Sequence, residues 1–138
     1  MPTFKDYYTV QLHDTDAAGI LFFANQLKIV HNVYESMLTK AGFGFQDRFR
    51  KRDFFIPIVH AETDFYHPLK DGDTVEIILE IEKVGTTSFT LSYKLTIFDE
   101  TVVGSAKTVH VTIDPESGKK IPLPGKFKEK LQELACND

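Results

Sequence analysis

Phe23-Ala24-Asn25-Gln26-Leu27-Lys28-Ile29-Val30-His31-Asn32-Val33-Tyr34-Glu35-Ser36-Met37-Leu38-Thr39-Lys40-Ala41 is the stretch on which the fold turns. Apolar side chains recur at Ala24, Leu27, His31, Tyr34 and Leu38, with Val30, Met37 and Ala41 widening the stripe. Spacing of three and four residues puts such a set on one face of a helix. Asn25, Lys28, Asn32, Glu35, Ser36 and Lys40 supply the polar positions. Gly42 and Gly44 can take the left-handed conformation that closes a helix, so the pattern predicts one helix of about five turns ending near Ala41.

Upstream, residues 7–12 have the β-branched and aromatic content of a short strand, which gives way to the polar cluster His13 to Asp16. Downstream, residues 54–114 read as strand broken by turns. Val75, Ile77, Leu79 and Ile81 alternate with Thr74, Glu76, Glu80 and Glu82, and Phe89, Leu91, Tyr93, Leu95 and Ile97 alternate with Ser88, Thr90, Ser92, Lys94 and Thr96. A period of two marks strands buried on one face. Pro68 with Asp71-Gly72, Val84-Gly85-Thr86 and Asp99-Glu100 mark turns, so consecutive strands are expected to pair as a meander. Gly104, Ala106 and Thr108 lie on one face of the next strand, where small residues admit a helix close to the sheet or mark a bulge. A Pro-, Gly- and Lys-rich excursion over 114–125 precedes a short helical pattern at Phe127, Leu131 and Leu134. One long amphipathic helix and several antiparallel strands must bury their apolar faces on each other, an α+β packing in a single domain spanning 1–138.

A chain of 138 residues suffices for one real core. Its formal net charge of -4 argues against nucleic acid or an anionic membrane as partner. A basic cluster at Arg48, Arg50, Lys51 and Arg52 reads as a solvated loop or as a meeting point for a phosphorylated ligand. The single cysteine, Cys136, provides no disulfide framework and no cysteine metal site, which fits a cytoplasmic protein. The N-terminal residues lack a signal-peptide pattern, and no apolar run approaches the roughly 20 residues that span a bilayer.

Chemistry concentrates in His13-Asp14-Thr15-Asp16-Ala17-Ala18-Gly19-Ile20-Leu21-Phe22-Phe23-Ala24-Asn25, a loop that runs into the helix. Asp16 reads either as a carboxylate capping a turn or as a base or nucleophile beside the unpaired N–H groups of a helix start. The pattern Asp16, Ala18, Gly19 and Asn25 resembles the hotdog-fold acyl-CoA thioesterases of the 4-hydroxybenzoyl-CoA thioesterase family, over nearly the whole chain. Residues 53–61 and 119–124 look most like the 1,4-dihydroxy-2-naphthoyl-CoA hydrolase group of quinone biosynthesis within it.

The resemblance implies a hotdog fold, in which an antiparallel sheet wraps around one long central helix. It also implies hydrolysis of an aromatic acyl-CoA thioester. Asp16 would attack the thioester carbonyl or activate a water. The Phe23 N–H would receive the oxyanion, and Gly19 would let backbone and ligand approach, though it also reads as a turn glycine. Asn25 would orient the loop or cap the helix, and His60 would border the acyl pocket or satisfy a polar contact. Gly85, Thr86 and Thr87 would help hold CoA, though they also read as a hairpin turn with hydroxyl residues.

His60, Glu62 and Asp64 alternate onto one strand face, but nothing supplies a clear further metal ligand, so neither metal nor cofactor is expected. The twelve phenylalanines and five tyrosines could furnish an aromatic pocket, although most must be core. A homodimer or homotetramer is expected from the resemblance alone. The competing readings are a broader acyl-CoA or acyl-carrier-protein thioesterase and a non-catalytic acyl-CoA-binding module. A serine hydrolase or nucleotidase would need a Gly-x-Ser-x-Gly elbow or a Walker-type loop, and neither motif occurs.

Overall fold

The computed structural model describes residues 4–46, 53–98 and 100–136, so the basic cluster at 48–52 and one residue of the 99–100 turn lie outside the described residues. Alternating apolar side chains make five strands: β1 (Phe4–Thr9), β2 (Ile58–Phe65), β3 (Thr74–Val84), β4 (Ser88–Ile97) and β5 (Thr101–Val111). They form one antiparallel sheet in the order β1-β3-β4-β5-β2. The first strand thus begins and ends earlier than its composition suggested, and Leu12–Asp14 is instead a single 3₁₀ turn.

The expected meander holds for β3, β4 and β5. It fails between β2 and β3, because β2 pairs only with β5 at the far edge while β1 takes the place beside β3. The turn around Gly72 (φ +94) is therefore the end of a crossover rather than of a hairpin. Its backbone binds the strand it leads past, with Gly72 N–H donating to Val10 O and Val10 N–H to Asp73 O, both at 2.8 Å.

The helix α1 (Asn25–Lys40) lies across one face of the sheet. Ile29, Val30, Val33 and Met37 pack with Val75, Ile77, Leu79, Leu91 and Leu95 in one buried cluster. Burying a side chain of this size contributes about 1.5–3 kcal/mol. Periodicity placed Val30, Tyr34, Met37 and Leu38 in the core, where they are, but set the stripe partly off its centre: Ala24 is exposed and Leu27, His31 and Ala41 are half-buried, while Gln26, Ile29 and Val33 are core. Leu27 and His31 line a side cavity of about 320 Å³ against Ile58 and Ala61 of β2. Two adjacent apolar stripes therefore exist on α1, one for the sheet and one for that groove.

A second helix, α2 (Gly125–Cys136), closes the sheet at its other end through Phe127 and Leu131. Phe127 meets Phe43, Phe54 and Phe89 with ring centroids 5.1–5.5 Å apart, the separation at which edge-on aromatic contacts are favourable.

Candidate active site

The loop from Val10 to Asn25 is held by a carboxylate that no local pattern singles out. Asp14 is 2% exposed. Its Oδ2 accepts the Tyr8 hydroxyl at 2.6 Å and the Gln11 N–H at 2.8 Å, and His13 Nδ1 lies 3.4 Å from Oδ1. Burial pushes the Asp14 carboxyl up, but the Tyr8 and Gln11 hydrogen bonds and the nearby His13 and Lys28 charges outweigh it and hold the group below its ordinary value. The same bond, chiefly, pushes the Tyr8 phenol up to about 12. The Asp14 carbonyl in turn accepts the Phe22 N–H and the Asn25 Nδ2–H, each at 2.9 Å. Asn25 therefore ties the head of α1 to the loop.

On this anchor stands a tight turn. Thr15 and Leu21 form a bridge, Asp16 N–H donates to Ile20 O at 3.0 Å and Gly19 N–H to Asp16 O at 2.9 Å. Gly19 has φ +79, where a side chain would be strained. The Ala18 N–H donates to Asp16 Oδ1 at 2.9 Å. Among the described residues Oδ2 has no partner. Asp16 is exposed and opens onto a cavity of about 440 Å³ walled by Ile20, Phe23, Phe65, Tyr66 and Pro68.

The backbone just ahead of α1 is only partly paired. Asn25 N–H donates to Phe22 O at 2.8 Å, while the Phe23 N–H meets no acceptor among the described residues. An open carboxylate oxygen and an open N–H on one apolar cavity are the two groups that acyl transfer requires.

Gln26, also unremarked in the sequence, forms the floor of this cavity while itself only 2% exposed. Its Nε2 donates to Thr63 Oγ1 at 2.7 Å and to Asp64 O at 2.9 Å, fastening α1 to β2. Gly104 makes room, since a Cβ there would stand 2.6 Å from Gln26 Nε2 and 2.9 Å from Asp64 O. Both readings of Gly104 hold, because the β4–β5 register also shifts between Leu95 and Thr96, opposite it. A glutamine three, four and seven residues ahead of Ile29, Val30 and Val33 was the available signal for a buried amide.

The structure gathers Asp16, Gly19, Phe23 and Asn25 into one corner. It does not bring the remaining expected residues there within one chain. His60 sits on the edge strand with its Nε2 2.9 Å from Glu62 Oε1, away from the Asp16 cavity. Among the described residues no three His, Cys, Asp or Glu side chains converge. Gly85, Thr86 and Thr87 lie beyond the opposite end of β3, roughly 35 Å along the strand from the Asp16 end.

A family model described as the thioesterase-like superfamily matches residues 10–131. The chain belongs to that superfamily. A 1,4-dihydroxy-2-naphthoyl-CoA hydrolase of Rippkaea orientalis is 39% identical over 117 residues, spanning 83% of this chain and 85% of the relative. The enzyme of the same name from Nostoc punctiforme is 40% identical over 124 residues, with 90% and 83% covered. Among solved structures, a 1,4-dihydroxy-2-naphthoyl-CoA thioesterase from Synechocystis superposes with a TM-score of 0.86 at 32% identity, covering 98% of this chain and 96% of that one. A gentisyl-coenzyme A thioesterase gives 0.80 at 29% identity, covering 88% and 97%. The architecture is the hotdog arrangement, and the protein is a thioester hydrolase.

Proposed function

We propose that this thioesterase cleaves an aromatic acyl-CoA to the free acid and CoA, with 1,4-dihydroxy-2-naphthoyl-CoA as the leading substrate and quinone biosynthesis as its setting in the cytoplasm. The observation that carries the reading is the open Oδ2 of Asp16 on a cavity walled by Phe23, Phe65 and Tyr66. Aromatic walls favour a flat acyl group over a flexible chain. The names of the relatives from Rippkaea orientalis and Nostoc punctiforme support the naphthoyl group.

In this reading the Asp16 carboxylate adds to the thioester carbonyl, or takes a proton from a water that does. The Phe23 N–H receives the charge that develops on oxygen, a donor of the kind whose loss raises a barrier by about 3 kcal/mol. Collapse expels the CoA thiolate, a good leaving group, so a weakly nucleophilic carboxylate suffices. Gly19 gives the turn its shape, and Asn25 keeps loop and helix start in register. Gly85, Thr86 and Thr87 remain candidates for holding CoA, and His60 for bordering the acyl group, if a second copy supplies them.

Such a copy has a natural seat. β2 pairs on one side only and exposes Ile58, Val59 and Phe65 on a sheet edge, which invites another strand. Two β2 strands running antiparallel about a two-fold axis would set the Ile58 end of one copy beside the Phe65 end of the other. That pairing carries His60 toward the second copy's Asp16 cavity. A dimer, or a tetramer of two dimers, is part of the proposal, and a monomeric mass at micromolar concentration would contradict it.

Thiol release from 1,4-dihydroxy-2-naphthoyl-, gentisyl-, benzoyl- and aliphatic-CoA esters tests the substrate. Preference for the naphthoyl ester is expected. The second reading, a hydroxybenzoyl substrate, is favoured by the likeness to the gentisyl-coenzyme A thioesterase, and faster gentisyl turnover would replace the first reading with it. Equal rates on aliphatic esters would point to a general thioesterase.

A further inference from the structure

We infer that the side-chain amide oxygen of Gln26 is the acceptor that positions the hydrolytic water, an inference that rests on the Asp16 hydrolase reading. Two hydrogen bonds decide which way the amide faces. The Thr63 hydroxyl donates to Ser105 O at 2.8 Å, so toward Gln26 its oxygen can only accept. The Asp64 carbonyl can only accept as well. Both bonds therefore need N–H groups, and the nitrogen is fixed on the β2 side by the direction of the whole chain of bonds. The oxygen is left over.

Among the described residues no donor reaches Gln26 Oε1, and the atom is not sealed in protein. Gln26 is one of the residues that line the Asp16 cavity. Two anchors, plus a glycine kept free of a Cβ at 2.6 Å, fix the orientation of the amide of this cavity-lining residue. An amide cannot take a proton at neutral pH, so Gln26 is not a base. It can accept one O–H of a water, which leaves the water's lone pair free for the acyl carbon.

The step balances in either route. If Asp16 has formed an anhydride, the water oxygen bonds to the acyl carbon, the bond to the Asp16 oxygen breaks, and Asp16 regains its carboxylate. One proton of the water stays on the newly formed acid, and the other passes to the expelled CoA thiolate or to bulk water. If Asp16 acts as base, it takes that proton directly, and the CoA thiolate departs from the same carbon. In both, Gln26 fixes the approach of the attacking water, and misplacing a reacting group by about 1 Å costs about 100-fold in rate.

Gln26→Met removes the acceptor, and hydroxylamine, a nucleophile strong enough to react without being positioned, reads the consequence. The wild type should release thiol and form acid, with little hydroxamate. Gln26→Met should lose about 100-fold in kcat for hydrolysis with KM for the thioester unchanged, and hydroxylamine should restore thiol release as hydroxamate above the enzyme-free rate. The product ratio does not depend on how much of the variant is folded. Thr63→Val, which removes one anchor and keeps the acceptor, should show a smaller fall with the same rescue, and it serves where Gln26→Met fails to fold.

Unchanged hydrolysis in both variants would overturn the inference. A fall that hydroxylamine does not relieve would overturn it too, because Gln26 would then merely hold α1 on the sheet. Absence of thiol release from any CoA ester by the wild type would overturn the hydrolase reading itself, and this inference with it.

Discussion

The two ends of the sheet treat their polar groups in opposite ways. At the Asp16 end, Asp14, Asn25 and Gln26 are buried or half-buried and spend their bonds on the loop and on β2, which leaves Asp16 Oδ2, the Phe23 N–H and Gln26 Oε1 without partners among the described residues. At the other end the backbone groups close on themselves. Gly85 N–H donates to Ser88 O, Thr86 O accepts the Leu123 N–H and Thr87 O the Thr112 N–H, at 2.8–3.2 Å. Beneath them His110 is 0% exposed, stacked on Phe89 at 4.8 Å, with Nε2 2.7 Å from Thr108 Oγ1 and Nδ1 enclosed without a partner among the described residues. Unpaired polar groups are stable where solvent or a ligand can reach them and costly where they are enclosed. The end that leaves them open is the end equipped for chemistry.

The contrast can be broken most strongly at the closed end. Burial, with a smaller push from the His31 charge, lowers the His110 imidazole to about 3 from an ordinary 6.5, so it is neutral in the folded protein. Between those values the unfolded chain binds the extra proton, so stability falls as pH drops through that window, by at most about 1.4 kcal/mol per pH unit. His110→Phe should flatten the slope of unfolding free energy between about pH 6 and 4. An unchanged slope would mean that another group carries the acid sensitivity. Asp14 acts lower: its stabilisation is complete above its ordinary 3.8 and disappears as pH falls through its depressed folded value.

At the open end, Asp14→Ala leaves the Tyr8 hydroxyl and Gln11 N–H without their acceptor and should cost about 1–3 kcal/mol in chemical denaturation. It should also lower kcat, because the Asp16 turn rides on that anchor. Full activity would show that the turn holds its shape alone. Gly104→Ala drives a methyl to within 2.6 Å of Gln26 Nε2 and should cost about 1–3 kcal/mol by calorimetry, with activity lost alongside. The smallest effect belongs to the closed end: Thr87→Ala should raise KM severalfold for CoA esters and leave KM for a truncated pantetheine-free thioester unchanged. Equal changes for both would remove Thr87 from CoA binding.

Much of this was legible in the chain. The extent of α1, the alternation in β3 and β4, and the Asp16, Gly19, Phe23 and Asn25 corner all follow from local periods and one loop motif. What was not legible depends on partners distant in sequence. Leu27 and His31 have the spacing of a core stripe but face a groove against β2, a strand whose position beside β5 no local pattern encodes. Asp14 reads in sequence as one more member of the polar cluster after the first strand, because its value as an anchor needs Tyr8 folded back upon it. Gln26 was invisible as a site residue, since its orientation is set by Thr63, Asp64 and Gly104, between 37 and 78 residues away.

Turnover of 1,4-dihydroxy-2-naphthoyl-CoA by Asp16→Asn beside the wild type tests the central claim most directly. The amide keeps the size of the side chain and an oxygen for the Ala18 N–H, but it can neither attack a thioester as an anion nor take a proton. The expected result is a loss of at least about 1,000-fold in kcat, equivalent to about 4 kcal/mol in the barrier, with ester binding and the unfolding midpoint preserved. Activity within tenfold of the wild type would contradict the assignment of the chemistry to Asp16.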